Sequence, residues 1–272
     1  MVRALWSAAS GMTSQQTNVD VIANNLANVN TTGYKTQTAQ FKSLLYQTLQ
    51  SKTTTANGET KPVGAQVGLG TRISSISSVF KQGNMNATNI DTDFAIDGQG
   101  FFAVQGLDGD TYYTRDGSFV WALGPGGGVM LCNAEGLPVL DSTGAPIELG
   151  EEYQTSKITI DASGEVCYPD DQNNSQKIGK KIGLYQFTNA GGLERASSSR
   201  YKITDASGEA MSEDEFDNLN KSTIRQGYLE ASNVQVVDEM VNLIVAQRAY
   251  EMNSKAIQAA DDMMQQANNL RR

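Results

Sequence analysis

The chain has 272 residues and a net charge of −9, from 21 Lys and Arg against 30 Asp and Glu, with no histidine. This length suffices for one large or two modest cores. An acidic balance without any basic run argues against nucleic acid, whose binding rests on clustered Lys and Arg.

The missing histidine removes Ser and Cys triads, His-containing metal sites and the commonest general base, and leaves only carboxylate or lysine chemistry. No run approaches the apolar length of a membrane span, so no membrane insertion is expected. At the N-terminus Arg3 stands nearly alone, and Ser7, Ser10, Thr13 and Ser14 interrupt any apolar segment, which does not read as a cleaved signal peptide.

The first predicted element is a helix. Leu5, Ala8, Met12, Val19, Ile22, Leu26 and Val29 recur at alternating spacings of three and four, with Gln15 the single polar member. That is an a/d seam through about four heptads. The helix is expected to end at TTGYK, Thr31 to Lys35, where Gly33 can adopt a left-handed conformation. Asn24, Asn25 and Asn28 fall off the seam and are expected to face outward. Residues 1–30 hold only Arg3 and Asp20 as charges. A polar, uncharged face suits a wet, tightly packed interface, because amides bridge neighbours without the cost of desolvating charge. A frayed polar helix end is the other reading; the QQANNL segment near the C-terminus repeats the amide-rich habit.

FKSLLYQTL, from Phe41, suggests a helical turn or two. Gln50 to Gly70 is Thr- and Gly-rich and reads as an extended connector, with a hairpin turn at Asn57-Gly58. From about Ile73 to Tyr228 short apolar runs alternate with Asp-Gly and Gly-rich punctuation. This predicts an antiparallel sandwich or distorted barrel. The acidic stretch Asp205 to Asp217 reads as a solvated loop or short helix. Cys132 and Cys167 are either buried apolar side chains or one disulfide. The last helix, about Val234 to Asn269, repeats Val241, Val245, Ala249, Met252, Ala256, Ala259, Met263 and Leu270. Its Ala residues permit close approach and its Met residues adapt to irregular surfaces. Neither terminal helix can bury its stripe alone, so the two ends of the chain are expected to pair with each other or with copies.

No motif supports catalysis or a cofactor. DTDFAIDG, Asp91 to Gly98, fails the calcium-loop pattern at Ala95 and Phe102. GPGGG, Gly124 to Gly128, lacks the ending of a phosphate loop, and GQGFF at Gly98 lacks the third glycine of a dinucleotide fingerprint. TYYTRDGSF, Thr111 to Phe119, reads as a hairpin turning at Asp116-Gly117. The expectation is a protein that is not an enzyme, with no cofactor and no metal.

Three stretches resemble one family. The N-terminus contains ANNLAN, Ala23 to Asn28, followed by TTGYK; QRAYEMNSKAIQAADDMMQQANNL spans Gln247 to Leu270; DFAIDGQGFFAV spans Asp93 to Val104. These are similar to the termini and first outer strands of the bacterial flagellar rod and hook axial proteins. The ALWSAASGM start, the chain length and the Thr-rich connector are most similar to the distal-rod members.

The resemblance implies an α+β fold in which N- and C-terminal helices pair as a coiled coil (1–32 with 233–272). An extended connector follows (33–72, with part of 218–232), and a central antiparallel β-rich domain faces outward (73–232). It implies a helical homopolymer, a hollow shaft transmitting torque from motor to hook. The implied location is the basal body, reached through the type III export apparatus without a cleaved signal. Implied partners are proximal rod proteins, the hook protein, the P- and L-ring bushing and a rod cap. The interface residues expected are Leu5, Met12, Val19, Ile22 and Leu26 on one helix and Val241, Val245, Met252, Ala256, Ala259 and Met263 on the other. Asn24, Asn25 and Asn28 are expected as amides between subunits. The alternatives are a hook or proximal rod subunit, or a secreted carbohydrate-binding β domain.

Overall fold

The computed structural model describes residues 2–50, 64–124, 126–150, 152–170, 174–197, 199–216 and 218–270. The architecture is α+β, with a helix near each end and antiparallel sheets between. The chain divides into two compact units, Met1–Ala27 with Gln37–Ser77 and Gln235–Arg272, and Asn28–Thr36 with Ser78–Val234. Residues 33–36 therefore fold with the β-rich unit, and 37–77 with the helices.

The first unit holds α1 (Val2–Ala27), β1 (Gln37–Ser43), β2 (Tyr46–Gln50), β3 (Ala65–Gly68), β4 (Thr71–Ser78) and α2 (Val236–Asn269). α1 stops at Ala27, before TTGYK, so Val29 lies beyond the helix. Thr31 donates from its backbone N to the Asn28 carbonyl and from its hydroxyl to Asn28 Oδ1 at 3.1 Å. Such local side-chain bonds compete with the helical ladder.

α1 packs along α2. The helices come close at Gly11, where a Cβ would stand 2.9 Å from the Asn253 side-chain nitrogen. Another flank of α1 meets β1. Ser14 Oγ lies 3.3 Å from Thr71 Oγ1, at the start of β4.

FKSLLYQTL is strand rather than helical turn. β1 is bonded to β4, and β2 pairs antiparallel with β3 from Tyr46 opposite Gly68 to Gln50 opposite Ala65. Pairing with distant segments overrides the local apolar spacing. The Asn57-Gly58 turn lies between β2 and β3, outside the described residues.

The second unit begins with β5 (Met85–Ala87), β6 (Phe94–Asp97), β7 (Phe101–Gln105), β8 (Thr111–Thr114), β9 (Phe119–Leu123), β10 (Val129–Asn133) and β11 (Glu148–Leu149). It continues with β12 (Thr159–Ile160), β13 (Glu165–Pro169), β14 (Ser175–Lys181), β15 (Leu184–Gln186), β16 (Glu194–Ser197), β17 (Arg200–Lys202), β18 (Met211–Ser212), β19 (Thr223–Gln226) and β20 (Tyr228–Glu230). Among the described residues the largest sheet has the order β16-β17-β8-β7-β15-β18; smaller ones are β11-β10-β9, β12-β13-β14, β19-β6 and β20-β5. One core gathers Phe94, Phe102, Phe119, Leu131, Val139 and Ile182. A second surrounds Phe101, Tyr113 and Tyr201.

Alternation along β7 explains the division, since Phe102 and Val104 face one core and Phe101 and Ala103 the other. GPGGG turns the β9–β10 hairpin, as its composition predicts. TYYTRDGSF is not a hairpin. β8 pairs with β7 and β17 whereas β9 pairs with β10, so the chain changes sheets at Arg115 to Ser118 and carries Arg115 inward. The acidic stretch forms turns and the short β18, with no helix among its described residues, and Glu213 within it is buried. Cys132 and Cys167 are both buried free thiols.

Candidate functional site

Among the described residues the first unit leaves a large apolar surface without an intramolecular partner. On α2 the buried positions are Glu239, Ala246 and Ala260, with Leu243, Asn253, Ile257 and Met264 among the half-buried ones. This is the seam turned toward the rest of the unit. The residues predicted as the partner stripe lie elsewhere. Val241, Val245, Met252, Ala256, Ala259 and Met263 are all exposed, Val245 at 62% and Met252 at 65%.

Within one chain the stripe is thus exposed, where the sequence left it to pair with the N-terminal helix or with copies. α2 carries apolar residues on two faces, and the second face, with Val237, Met240 and Ile244, points to solvent. On α1 Ile22 is buried and Leu5, Met12, Val19 and Leu26 are half-buried. A groove of about 550 Å³ runs between Gln16 and Val19 of α1 and Gln247, Tyr250 and Glu251 of α2. Trp6, at 70% exposure, and Leu45, Tyr46 and Leu49 are exposed as well. Exposed apolar surface on this scale marks an interaction site. Covering each Val or Met is worth about 1.5–3 kcal/mol.

The three predicted amides separate on inspection. Asn24 is exposed and donates to Gln37 Oε1 at 3.2 Å. Asn28 is half-buried and accepts from Thr31. Asn25 does not face outward: it is 1% exposed. Its Nδ2 donates to the Gln37 carbonyl at 2.9 Å, and its Oδ1 accepts from the Gln37 amide at 2.9 Å. The side-chain amide thus copies the backbone pairing of a β-bridge and fixes the start of β1. Three-residue spacing from the buried Ile22 places it on the flank turned to β1 rather than on the open face.

In the second unit a buried ionic junction joins segments far apart in sequence. Lys35, the last residue of TTGYK, donates to Glu230 Oε1 at 2.6 Å and to the Lys81 carbonyl at 2.9 Å. Arg115 Nη1 reaches Glu230 Oε2 at 3.3 Å and its Nη2 donates to the Gly98 carbonyl at 2.8 Å. The Gly83 amide donates to Glu230 Oε1 at 2.8 Å. Burial pushes both cations below their usual range, and the Glu230 carboxylate opposes that shift.

Asn233 ties the same region. Its Oδ1 accepts from the Thr36 amide and hydroxyl at 2.7 Å, and its Nδ2 donates to the Val79 and Lys81 carbonyls. Gly33 has φ +66°, and a Cβ there would stand 2.6 Å from the Asp116 backbone nitrogen. Only glycine fits that approach. The composition-based reading missed Lys35, Arg115 and Glu230. Glu230 alone stands as a single charge between aliphatic neighbours, in YLEA; Lys35 in GYKT and Arg115 in YYTRD carry no local signal of burial.

Among the described residues, no cluster of three or more His, Cys, Asp or Glu is arranged to hold a metal ion, and no helix is long and apolar enough to cross a membrane.

Residues 5–35 match the family model described as flagella basal body rod protein, 95–168 that of the flagellar hook protein FlgE/F/G D1 domain, and 225–270 that of the flagellar basal body rod FlgEFG protein C-terminal. The first match covers α1 and runs to Lys35; the third runs across Glu230 and α2. The flagellar basal-body rod protein FlgG of Borreliella burgdorferi is 45% identical over 273 residues, covering 100% of both chains. That of Bacillus subtilis is 35% identical over 272 residues, again covering 100% of both. The flagellar hook-basal body complex protein FlhP of Bacillus subtilis is 29% identical over 279 residues. Full-length identity at these levels, with both terminal helices and the β-rich unit included, means that the chain belongs to the FlgG family of flagellar basal-body rod proteins.

Proposed function

We propose that the chain is a structural subunit of the flagellar distal rod, without enzymatic activity, and that it polymerises helically into the hollow shaft that carries torque from motor to hook. The observation that carries this reading is the unpartnered apolar face of α2, Val241, Val245 and Met252 above all. An exposed apolar helix face of this kind marks an interaction surface, and copies of the chain or its axial neighbours supply the cover.

In the polymer, α1 and α2 form a coiled-coil inner layer, residues 33–72 a connecting layer and the β-rich unit the outer layer. Leu5, Met12, Val19, Ile22 and Leu26 supply the N-terminal seam. Val241, Val245, Met252, Ala256, Ala259 and Met263 meet neighbouring subunits, and Asn24 and Asn28 bridge between copies. Asn25 serves within the chain. Proximal rod proteins lie below and the hook protein above, the P- and L-rings surround the shaft, and a rod cap and the type III export apparatus attend assembly. Repetition of one head-to-tail contact without closure generates such a filament.

An in-frame deletion imaged by electron cryotomography tests the assignment. A retained export ring with a short rod stump, lacking distal rod and hook, is the expected result. A full rod missing only its hook would make the chain a hook-side subunit. Unchanged basal bodies would overturn the flagellar reading.

A further inference from the structure

α1 carries two charges of opposite sign, Arg3 in its first turn and Asp20, 17 residues further on. Both are exposed, and neither has an ion pair or a side-chain hydrogen bond among the described residues. The other exposed positions of α1 are Ala, Thr, Gln and Asn, apart from Trp6. Trp6, Thr13, Asp20 and Ala27 recur every seven residues and so lie along one flank of the helix. Ala23, also exposed, stands one turn after Asp20 and one turn before Ala27.

The open flank thus has a cation and a large ring near one end, and an anion with two small side chains near the other. Trp6 follows Arg3 by three residues, as Ala23 follows Asp20. A single shift of one copy along the helix axis, roughly 25 Å for this spacing, brings Arg3 to Asp20 and Trp6 to Ala23 together. Ala23 and Ala27 have nothing beyond Cβ, so an indole can lie flat across them and leave water. A charge covered by a neighbour is costly unless it is paired, and the Arg3–Asp20 contact pairs both.

α2 offers no such match in a filament. Gly11 lies against Asn253, and Gln16 and Val19 line a groove with Gln247 and Tyr250, so α2 runs antiparallel to α1. Where all copies point one way, a neighbouring α2 is antiparallel as well. It would need a base followed 17 residues later by an acid, whereas Arg248 and Lys255 are followed there by Gln265 and Arg272. Asp238 and Lys255 have the spacing in the parallel sense, which takes an inverted copy and closes into a dimer. Two copies of α1 run parallel, and a shift between different patches of one helix repeats without closing.

We propose that α1 of one copy lies parallel to α1 of the next, displaced along its axis by roughly 25 Å, with Arg3 paired to Asp20 and the Trp6 ring over Ala23 and Ala27. The inference rests on the self-assembly reading above and names what covers the open flank of α1.

The test places a benzophenone amino acid at Trp6 in the full-length chain. Isolated basal bodies are irradiated, and the products are sized on denaturing gels and mapped by mass spectrometry. The expected product has twice the chain mass and is linked within residues 20–27. It falls at least tenfold with Arg3→Glu and returns when Asp20→Arg is added. Ala23 is the reciprocal labelling position, with linkage expected within residues 3–9. Assembled basal bodies that give no such dimer from either position, a dimer linked to α2, a product with another protein, or a dimer that ignores the charge reversal or is not restored by the double exchange would overturn the inference while the rod reading stands. Absence of the chain from basal bodies would overturn the rod reading, and the inference with it.

Discussion

Lys35 and Glu230 lie 195 residues apart in sequence and meet at 2.6 Å with neither side chain exposed. The pair binds the segment that leaves α1 to the segment that leads toward α2, both within the β-rich unit. A carboxylate buried there is tolerable only with its cations in place.

Removing one cation is therefore severe. Lys35→Met is expected to destabilise the second unit by about 3–5 kcal/mol, because it leaves Glu230 with Arg115 alone. Replacing Lys35 and Glu230 together by Met should recover most of that loss, since Arg115 then keeps Glu213 as its facing carboxylate. Urea unfolding followed by Trp121 fluorescence reports this unit, because Trp121 packs against its core. Trp6→Phe removes the other indole. An unchanged midpoint for Lys35→Met would contradict the junction's role.

Asn25 predicts a local effect. Asn25→Ala removes both bonds to Gln37 and leaves buried backbone groups without partners, at a cost of about 1–3 kcal/mol. The Gln37 amide should then exchange its hydrogen markedly faster. Asn24→Ala, on the exposed neighbour, should move stability by no more than about 0.5 kcal/mol. Equal effects of the two substitutions would sink the distinction between them.

Alkaline stability follows from Tyr113. Burial pushes its phenol from 10.0 up to about 12, with the neighbouring Tyr185 adding to the shift. Between those values the folded state holds a proton that the unfolded state has lost. The associated stabilisation is present below pH 10 and disappears as pH rises through about 12. Burial raises Tyr201 and Tyr185 in the same direction, whereas Lys35, pushed down, works the opposite way. Tyr113→Phe should flatten the fall by on the order of 1–3 kcal/mol, measured as unfolding midpoints at pH 9.5 and 11.5.

Adjacent positions on α2 separate folding from assembly. Val245 is exposed and Ala246 is buried. Val245→Asp should leave the helical content and melting of the purified chain within experimental error and abolish rod formation in cells. Ala246→Asp should destabilise the helical pair itself, since it buries an unpaired charge. Normal rods with Val245→Asp would show that this face is not covered in the assembly.

On α1 the 3–4 spacing persists over the helix with one polar interruption, so the sequence offers a single apolar face. On α2 Ala and Met populate both faces, and the more continuous stripe is the one left exposed. Spacing alone does not say which of two apolar faces turns inward. The strand character of Gln37–Gln50 escaped for another reason, since it arises from pairing with Ala65–Ser78, a non-local cause. Asn25 has a backbone group as its partner, which no side-chain pattern reveals. Lys35, Arg115 and Glu230 are single charges in separate segments, and only the fold unites them. The family motifs at both ends identified the relatives, yet they gave no role for the lysine that ends TTGYK.

The central claim is that the exposed face of α2 is covered by other subunits in the flagellar rod. The most direct measurement is an electron cryomicroscopy map of isolated basal bodies at side-chain resolution, with this chain traced in the rod. The account predicts Val241, Val245 and Met252 buried against neighbouring copies or axial partners. A rod in which those side chains remain in solvent, or in which this chain is absent, would contradict it.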